Sequence, residues 1–190
     1  RRAIQALTGP DDGLCLPLIQ FVTLSSGRMG KRSGNFVTLD DLIREVGRDA
    51  ARFFFLMRSH DQHLEFDLEL ASSQTNDNPV YYIQYAHARV ASVMRQLAER
   101  SLVWNRDNGL AHLAQLDSEH EQAQMIELSR YAEVVEAAGA SLEPHLITTY
   151  LRELAGAFHA YYNTHQCIVD DASLRDARLA LASAVRQVLA

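Results

Sequence analysis

From Asn78 to the end of the chain, apolar residues return every three or four positions, in four separate stretches. The first carries Ile83, Ala86, Val90, Val93 and Leu97, and the second carries Met125, Leu128, Ala132 and Val135. The third carries Ile147, Leu151, Leu154, Phe158 and Tyr161, and the fourth Leu174, Ala177, Leu181, Ala184 and Val188. Spacings of three and four place side chains on one face of an α-helix. A helix with one apolar face must cover it, and several such helices joined by short connections do so by packing against one another. The pattern therefore predicts a helical bundle over the second half of the chain.

Local signals set the ends of these helices. Asn78 can cap a helix whose first turn accommodates Pro79, and this helix should end between Arg100 and Asn108-Gly109, read as a turn. Ser118 and Glu121 form a capping box for a second helix reaching Gly139. Glu143-Pro144 opens a third, and Ser173 with Asp176 starts a fourth. Before Asn76 the character differs. Leu16 to Leu24 is an apolar run rich in β-branched and aromatic residues and reads as a strand ended by Ser25-Ser26-Gly27. Thr38 and Asp41 start a short helix running to about Val46, ahead of Gly47, and a further helix covers Asp49 to Arg58. Its Phe53-Phe54-Phe55 run spans more than one helix face, which predicts burial on several sides. A domain boundary falls near Asn76-Asp77-Asn78-Pro79, dividing 1–75 from 76–190. The fold class is mainly α, with a short α/β portion followed by an all-α bundle.

A chain of 190 residues that is 47% hydrophobic and 22% charged can bury a core. Its net charge of −6 argues against sequence-indifferent nucleic-acid coating, though not against a local arginine-rich face. No apolar run approaches the roughly 20 residues of a membrane span, and Arg1 to Gln5 lacks the core of a signal peptide, so cytoplasm is expected. Cys15 and Cys167 suit neither a zinc site nor a disulfide framework and are read as buried thiols. His60 and His63 have no evident third ligand, and His87, His159 and His165 read as structural residues, so no metal site is expected.

The only lysine, Lys31, lies in Arg28-Met29-Gly30-Lys31-Arg32-Ser33-Gly34-Asn35. Glycines let the backbone approach phosphates, and a lysine on such a loop delivers a compact charge to an oxygen where negative charge builds. An ordinary P-loop is excluded, because Ser25 stands where its first glycine is required and Arg32 where its hydroxyl residue belongs.

The loop resembles the second signature of class I aminoacyl-tRNA synthetases, Lys-Met-Ser-Lys-Ser, with Met29, Lys31, Gly34 and Asn35 matching. Arg28, Gly30 and Arg32 replace the first lysine and the two serines. Phe36 to Ile43 and Asn78 to Arg89 resemble consecutive landmarks of bacterial arginyl-tRNA synthetases. Asp171 to Leu179 resembles a late helix of the DALR anticodon-binding domain. The resemblance covers nearly the whole chain. It implies that 1–75 is the C-terminal part of a class I catalytic domain and 76–190 a DALR-type helical domain.

By that resemblance, Lys31 is catalytic, stabilising the pyrophosphate leaving group, and Arg28, Met29, Gly30, Lys31 and Arg32 contact ATP. Tyr81, Tyr85 and Arg89 stand at i, i+4 and i+8, with Tyr82 alongside, an aromatic and arginine surface suited to unpaired bases. Each tyrosine taken singly reads rather as packing the domain junction, its hydroxyl finding a local partner, and the resemblance favours the stacking role for the group and not for each residue. Arg152, Tyr161, Tyr162, Arg175 and Arg178 are further tRNA-binding candidates. The implied activity joins L-arginine to tRNA(Arg) with ATP and Mg2+, without a protein-bound metal and without a membrane, in a monomer. The nucleotide-binding fold and the arginine pocket would lie upstream, so this segment should be inactive alone. Two alternatives stay open: a cysteinyl-tRNA synthetase fragment, and a noncatalytic helical RNA-binding module.

Overall fold

A computed structural model of the chain describes residues 18–25 and 37–190. The basic loop with Arg28, Met29, Gly30, Lys31 and Arg32 lies outside these residues, as does Cys15. A strand, β1 (Val22–Leu24), pairs in parallel with β2 (Leu64–Phe66) in the register Val22 to Leu64 and Leu24 to Phe66. A parallel pair needs a crossover. Here it includes helices α1 (Leu39–Val46) and α2 (Arg48–Leu56). The strand is shorter than the apolar run suggests. Its partner is only three residues long, so the ladder stops, and Leu18, Ile19 and Phe21 are 80–87% exposed.

Thr38 caps α1 in a reciprocal box with Asp41, as the sequence predicts. Gly47 ends α1 and begins α2 at φ 83°, a left-handed conformation that a Cβ would strain. In α2, Phe54 is buried and its ring lies 5.4 Å from that of Phe66. Phe53 is half-buried against two cores, the small one under β1 and β2 and the large one of the bundle. The triple phenylalanine thus meets several surfaces because α2 is wedged between them.

A one-turn helix, α3 (Leu68–Ser72), leads to α4 (Pro79–Glu99) through Asn78. The Asn78 side chain is buried and uses both ends. Its oxygen accepts from the Val80 and Tyr81 N–H groups, while its nitrogen donates to the Ala71 and Ser73 carbonyls at 3.1 and 2.8 Å. One residue therefore caps α4 and ties it to the preceding unit. The buried face of α4 is Ile83, Ala86, Val90, Val93 and Leu97, the predicted stripe.

The region after α4 departs from its sequence reading. Asn108-Gly109 is no turn but part of α5 (Arg106–Ala111), capped by Asn105. The reason is tertiary: a Cβ on Gly109 would sit 2.4 Å from the Asp176 carbonyl oxygen, so glycine permits a backbone approach of α5 to the last helix. The helix expected from Ser118 to Gly139 is divided at Arg130 into α6 (Glu119–Ser129) and α7 (Tyr131–Ser141). The break rephases the buried face. Ala132 and Val135 are exposed, whereas Val134 packs on the core and Ala138 is buried.

Helix α8 (His145–Thr164) is the hub of the bundle, packed against α4, α6 and α7. Leu154, Phe158 and Tyr161 are fully buried, as is Ala155, and Tyr150 donates to the Glu127 carbonyl at 3.0 Å. Helix α9 (Ala172–Leu189) is capped by Asp171, which accepts from the Leu174 N–H, rather than by Ser173. It packs against α4, α5 and α8, so its buried face widens to Leu179, Leu181, Ala182 and Val185. Among the described residues no helix is long and apolar enough to cross a membrane.

Candidate nucleic-acid interface

The i, i+4, i+8 spacing on α4 builds a column of flat groups. The Tyr81 and Tyr85 rings stack with centroids 5.9 Å apart at 10°. The Arg89 guanidinium carbon lies over two rings, 4.6 Å from the centroid of Tyr85 and 4.7 Å from that of Tyr162, on α8. A cation over two aromatic faces is attracted by both quadrupoles. The Tyr81, Tyr85, Arg89 and Tyr162 layers are each partly open to solvent, Tyr85 being 39% exposed. Planar faces with one cationic layer suit stacking with unpaired bases.

His159 braces the column from behind. Its Nε2 lies 3.0 Å from the Tyr82 carbonyl oxygen and its Nδ1 3.0 Å from Arg89 Nη1. The carbonyl can only accept, so Nε2 carries the proton and Nδ1 accepts from the guanidinium: the imidazole is neutral. Burial holds its pKa below the ordinary value of 6.5; the Tyr82 bond pulls it up, and the Arg89 charge presses it down again. Asn163 supplies a second acceptor for Arg89 Nη1 at 3.2 Å. Sequence alone reads His159 as structural and gives Asn163 no role. The signal was present in the spacing, since His159, Tyr162 and Asn163 stand at i, i+3 and i+4 and so share one face of α8.

Other candidates fall elsewhere. Tyr82 is half-buried, its ring 4.4 Å from the His159 ring. It lines a cleft of about 460 Å³ together with Arg152, Thr149 and Asn76, and Arg152 is exposed there. Tyr162 also borders a second cleft of about 280 Å³ with Gln96, Arg100 and Gln166, residues that the sequence did not single out.

Three candidates are turned inward. Tyr161 is fully buried, its hydroxyl 3.7 Å from Cys167 Sγ, and burial pushes both the phenol and the thiol above their ordinary pKa values. It offers no face to a polynucleotide because it lies within the α4, α8 and α9 core, whereas the neighbouring Tyr162 packs only at the edge of that core and lies against Arg89. Arg178 donates to Glu121 at 2.8 Å and to the Gln166 carbonyl at 2.9 Å. Arg175 donates to the Val169 carbonyl at 3.2 Å, closing the turn before α9. These arginines complete the fold's own hydrogen bonding. Among the described residues, no group of three or more His, Cys, Asp or Glu side chains could hold a metal ion.

Comparison with known proteins gives this geometry a family. Residues 83–190 match the DALR anticodon binding domain, which covers more than half of the chain. The arginine–tRNA ligase of Thioalkalivibrio sulfidiphilus is 53% identical over 100% of the chain, and that of Legionella pneumophila (strain Corby) is 50% identical over 100%. The chain spans 33% of the length of each of these relatives. A Campylobacter jejuni structure described as an arginyl tRNA synthetase superposes with a TM-score of 0.74 at 31% identity, over 90% of this chain and 37% of that one. The arginyl-tRNA synthetase of Thermus thermophilus shares the fold, with a TM-score of 0.71 at 24% identity over 89% of this chain and 32% of that one. A helical bundle whose match begins at Ile83, inside the helix that carries the stacked column, belongs to the DALR anticodon-binding domain family.

Proposed function

We propose that this chain is the part of an arginine–tRNA ligase that carries the signature loop and grips tRNA(Arg). Its relatives of about 50% identity bear that name, and the aromatic and arginine column on α4 and α8 is the observation that supports RNA binding here. The whole enzyme would join L-arginine to tRNA(Arg) in the cytoplasm, using ATP with magnesium. Lys31, with Arg28 and Arg32 beside it, would meet the triphosphate, offering positive charge to the departing pyrophosphate. Any magnesium would arrive with the nucleotide.

In this reading Tyr81, Tyr85, Arg89 and Tyr162 receive unpaired bases, while exposed Arg152 and Arg100 draw in the phosphates. A local cationic and aromatic face on a chain of net charge −6 favours selective over indiscriminate binding. The test is fluorescence anisotropy of the 190-residue chain with a labelled arginine-accepting tRNA and with an unrelated tRNA, across a salt series. Tighter binding of the arginine acceptor, weakening as salt rises, is expected. Equal affinity for both RNAs overturns the anticodon reading.

A further inference from the structure

The Arg89 guanidinium has few ways to be held. The Tyr85 and Tyr162 rings lie against its central carbon, but two ring contacts do not fix its rotation. Rotation is set by acceptors at its edge, and those on Nη1 are His159 Nδ1 and the Asn163 amide oxygen. Nε is buried without a hydrogen-bond partner. Among the described residues Nη2 has no acceptor either, and it is not buried, so it is the edge left open to a ligand. We propose that His159 is a positioning residue: as the neutral Nε2–H tautomer it holds Arg89 in the column for RNA, and protonating it releases Arg89 and weakens binding. The inference rests on the RNA-binding reading above and deepens it.

A protonated Nδ1 would donate where Arg89 also donates, so the two groups would face each other as like charges and the bond between them would be lost. Facing His159 from α4 are Arg89 and the Tyr82 and Tyr85 rings, and on α8 itself the neighbouring ring is Phe158. Arg89 is the charge among them. Burial and Arg89 both favour the neutral imidazole, which places the transition on the acid side of 6.5.

The sign of the effect separates this device from ordinary electrostatics. Acidification makes an acidic chain with 8 histidines more positive, and a purely coulombic RNA binder then binds more tightly. The device predicts the opposite. A glutamine at 159 can donate to the Tyr82 carbonyl and accept from Arg89 without titrating, so it mimics the neutral imidazole.

The experiment is anisotropy of a fluorescein-labelled arginine-accepting tRNA with the 190-residue chain at pH 7.5 and 5.5, at constant ionic strength, with circular dichroism at both values to establish that the chain stays folded. Wild-type affinity should fall about tenfold in acid, the scale of one hydrogen bond to a charged group. His159→Gln should bind like wild type at pH 7.5 and hold that affinity in acid, while His159→Phe should bind weakly at both. Wild-type affinity that is unchanged or tighter in acid overturns the inference alone, and this arm needs no variant. An acid loss that persists in His159→Gln also overturns it. Absence of binding at both pH values overturns the RNA-binding reading and this inference together.

Discussion

Arg178 Nε donates to Glu121 Oε1 across the contact between α9 and α6, at 2.8 Å, with 1% of the Glu121 side chain exposed. The carboxylate's other oxygen closes the capping box by accepting from Ser118, at 2.7 Å from the hydroxyl and 3.2 Å from the N–H. One buried acid thus completes a helix start and anchors the helix packed against it.

Removing one partner of such a pair leaves an uncompensated buried charge. Arg178→Ala should cost about 3–5 kcal/mol in urea unfolding, with tRNA affinity per folded molecule little changed. A variant that melts like wild type but loses tRNA binding would return Arg178 to the RNA surface.

The same pair has a pH signature. Burial alone would raise the Glu121 pKa, but the Ser118 hydrogen bonds and Arg178 outweigh it, so the net shift is downward from 4.5. A carboxyl whose folded pKa is depressed adds stability that is present above its unfolded pKa and is lost as pH falls through the folded value. The stability gap between wild type and Glu121→Gln should therefore be constant above pH 4.5 and close below it. Urea midpoints for the two proteins across that range check this, and a gap that grows in acid would refute it.

Asn78 acts as cap and clasp at once, and the two roles separate chemically. Asn78→Asp keeps the acceptor for the Val80 and Tyr81 N–H groups but loses the donor to the Ala71 and Ser73 carbonyls. A buried carboxylate beside two unpaired carbonyls should cost about 2–3 kcal/mol. Thermal melting measures it, and a shift no larger than that of an exposed substitution would show the clasp to be dispensable.

Two glycines in helices should respond with opposite signs to alanine. At Gly109 the new Cβ would meet the Asp176 backbone at 2.4 Å, and the helices must part, at a cost of about 1–3 kcal/mol. At Gly139, in α7, nothing lies within 4 Å, so the backbone entropy saved should add about 0.5–1 kcal/mol. Melting temperatures of Gly109→Ala and Gly139→Ala that move the same way would contradict this packing.

For Lys31 the expectation concerns chemistry. In an enzyme that also carries the arginine pocket, Lys31→Ala should slow ATP-dependent arginine activation by two orders of magnitude or so, the scale of losing one preorganised charge at a transition state, and leave tRNA affinity nearly intact. Pyrophosphate exchange reads the first and filter binding the second.

Much of this was legible in the order of residues alone. Asn78 before Pro79, the Ser118 and Glu121 box, and the stripe from Ile83 to Leu97 are short-range patterns, because capping and helical period depend on residues only a few positions apart. Long-range partners settled what those patterns could not. Tyr161 and Tyr162 are adjacent in sequence, yet one is sealed in the core and the other stacks on Arg89, since the packing of α4 and α9 chose which face of α8 was covered. Arg89 and Arg178 look alike in a string of letters; what separates them is that Arg89 lies over two tyrosine rings at a partly open surface while Arg178 meets a buried carboxylate. Local periodicity determined that helices form, and local caps such as Asn78 and Ser118 where some of them begin; the start of α5, the break at Arg130 and which cations stay at the surface were decided by the packing of one helix on another, because a charge is consumed or left free by neighbours distant in the chain.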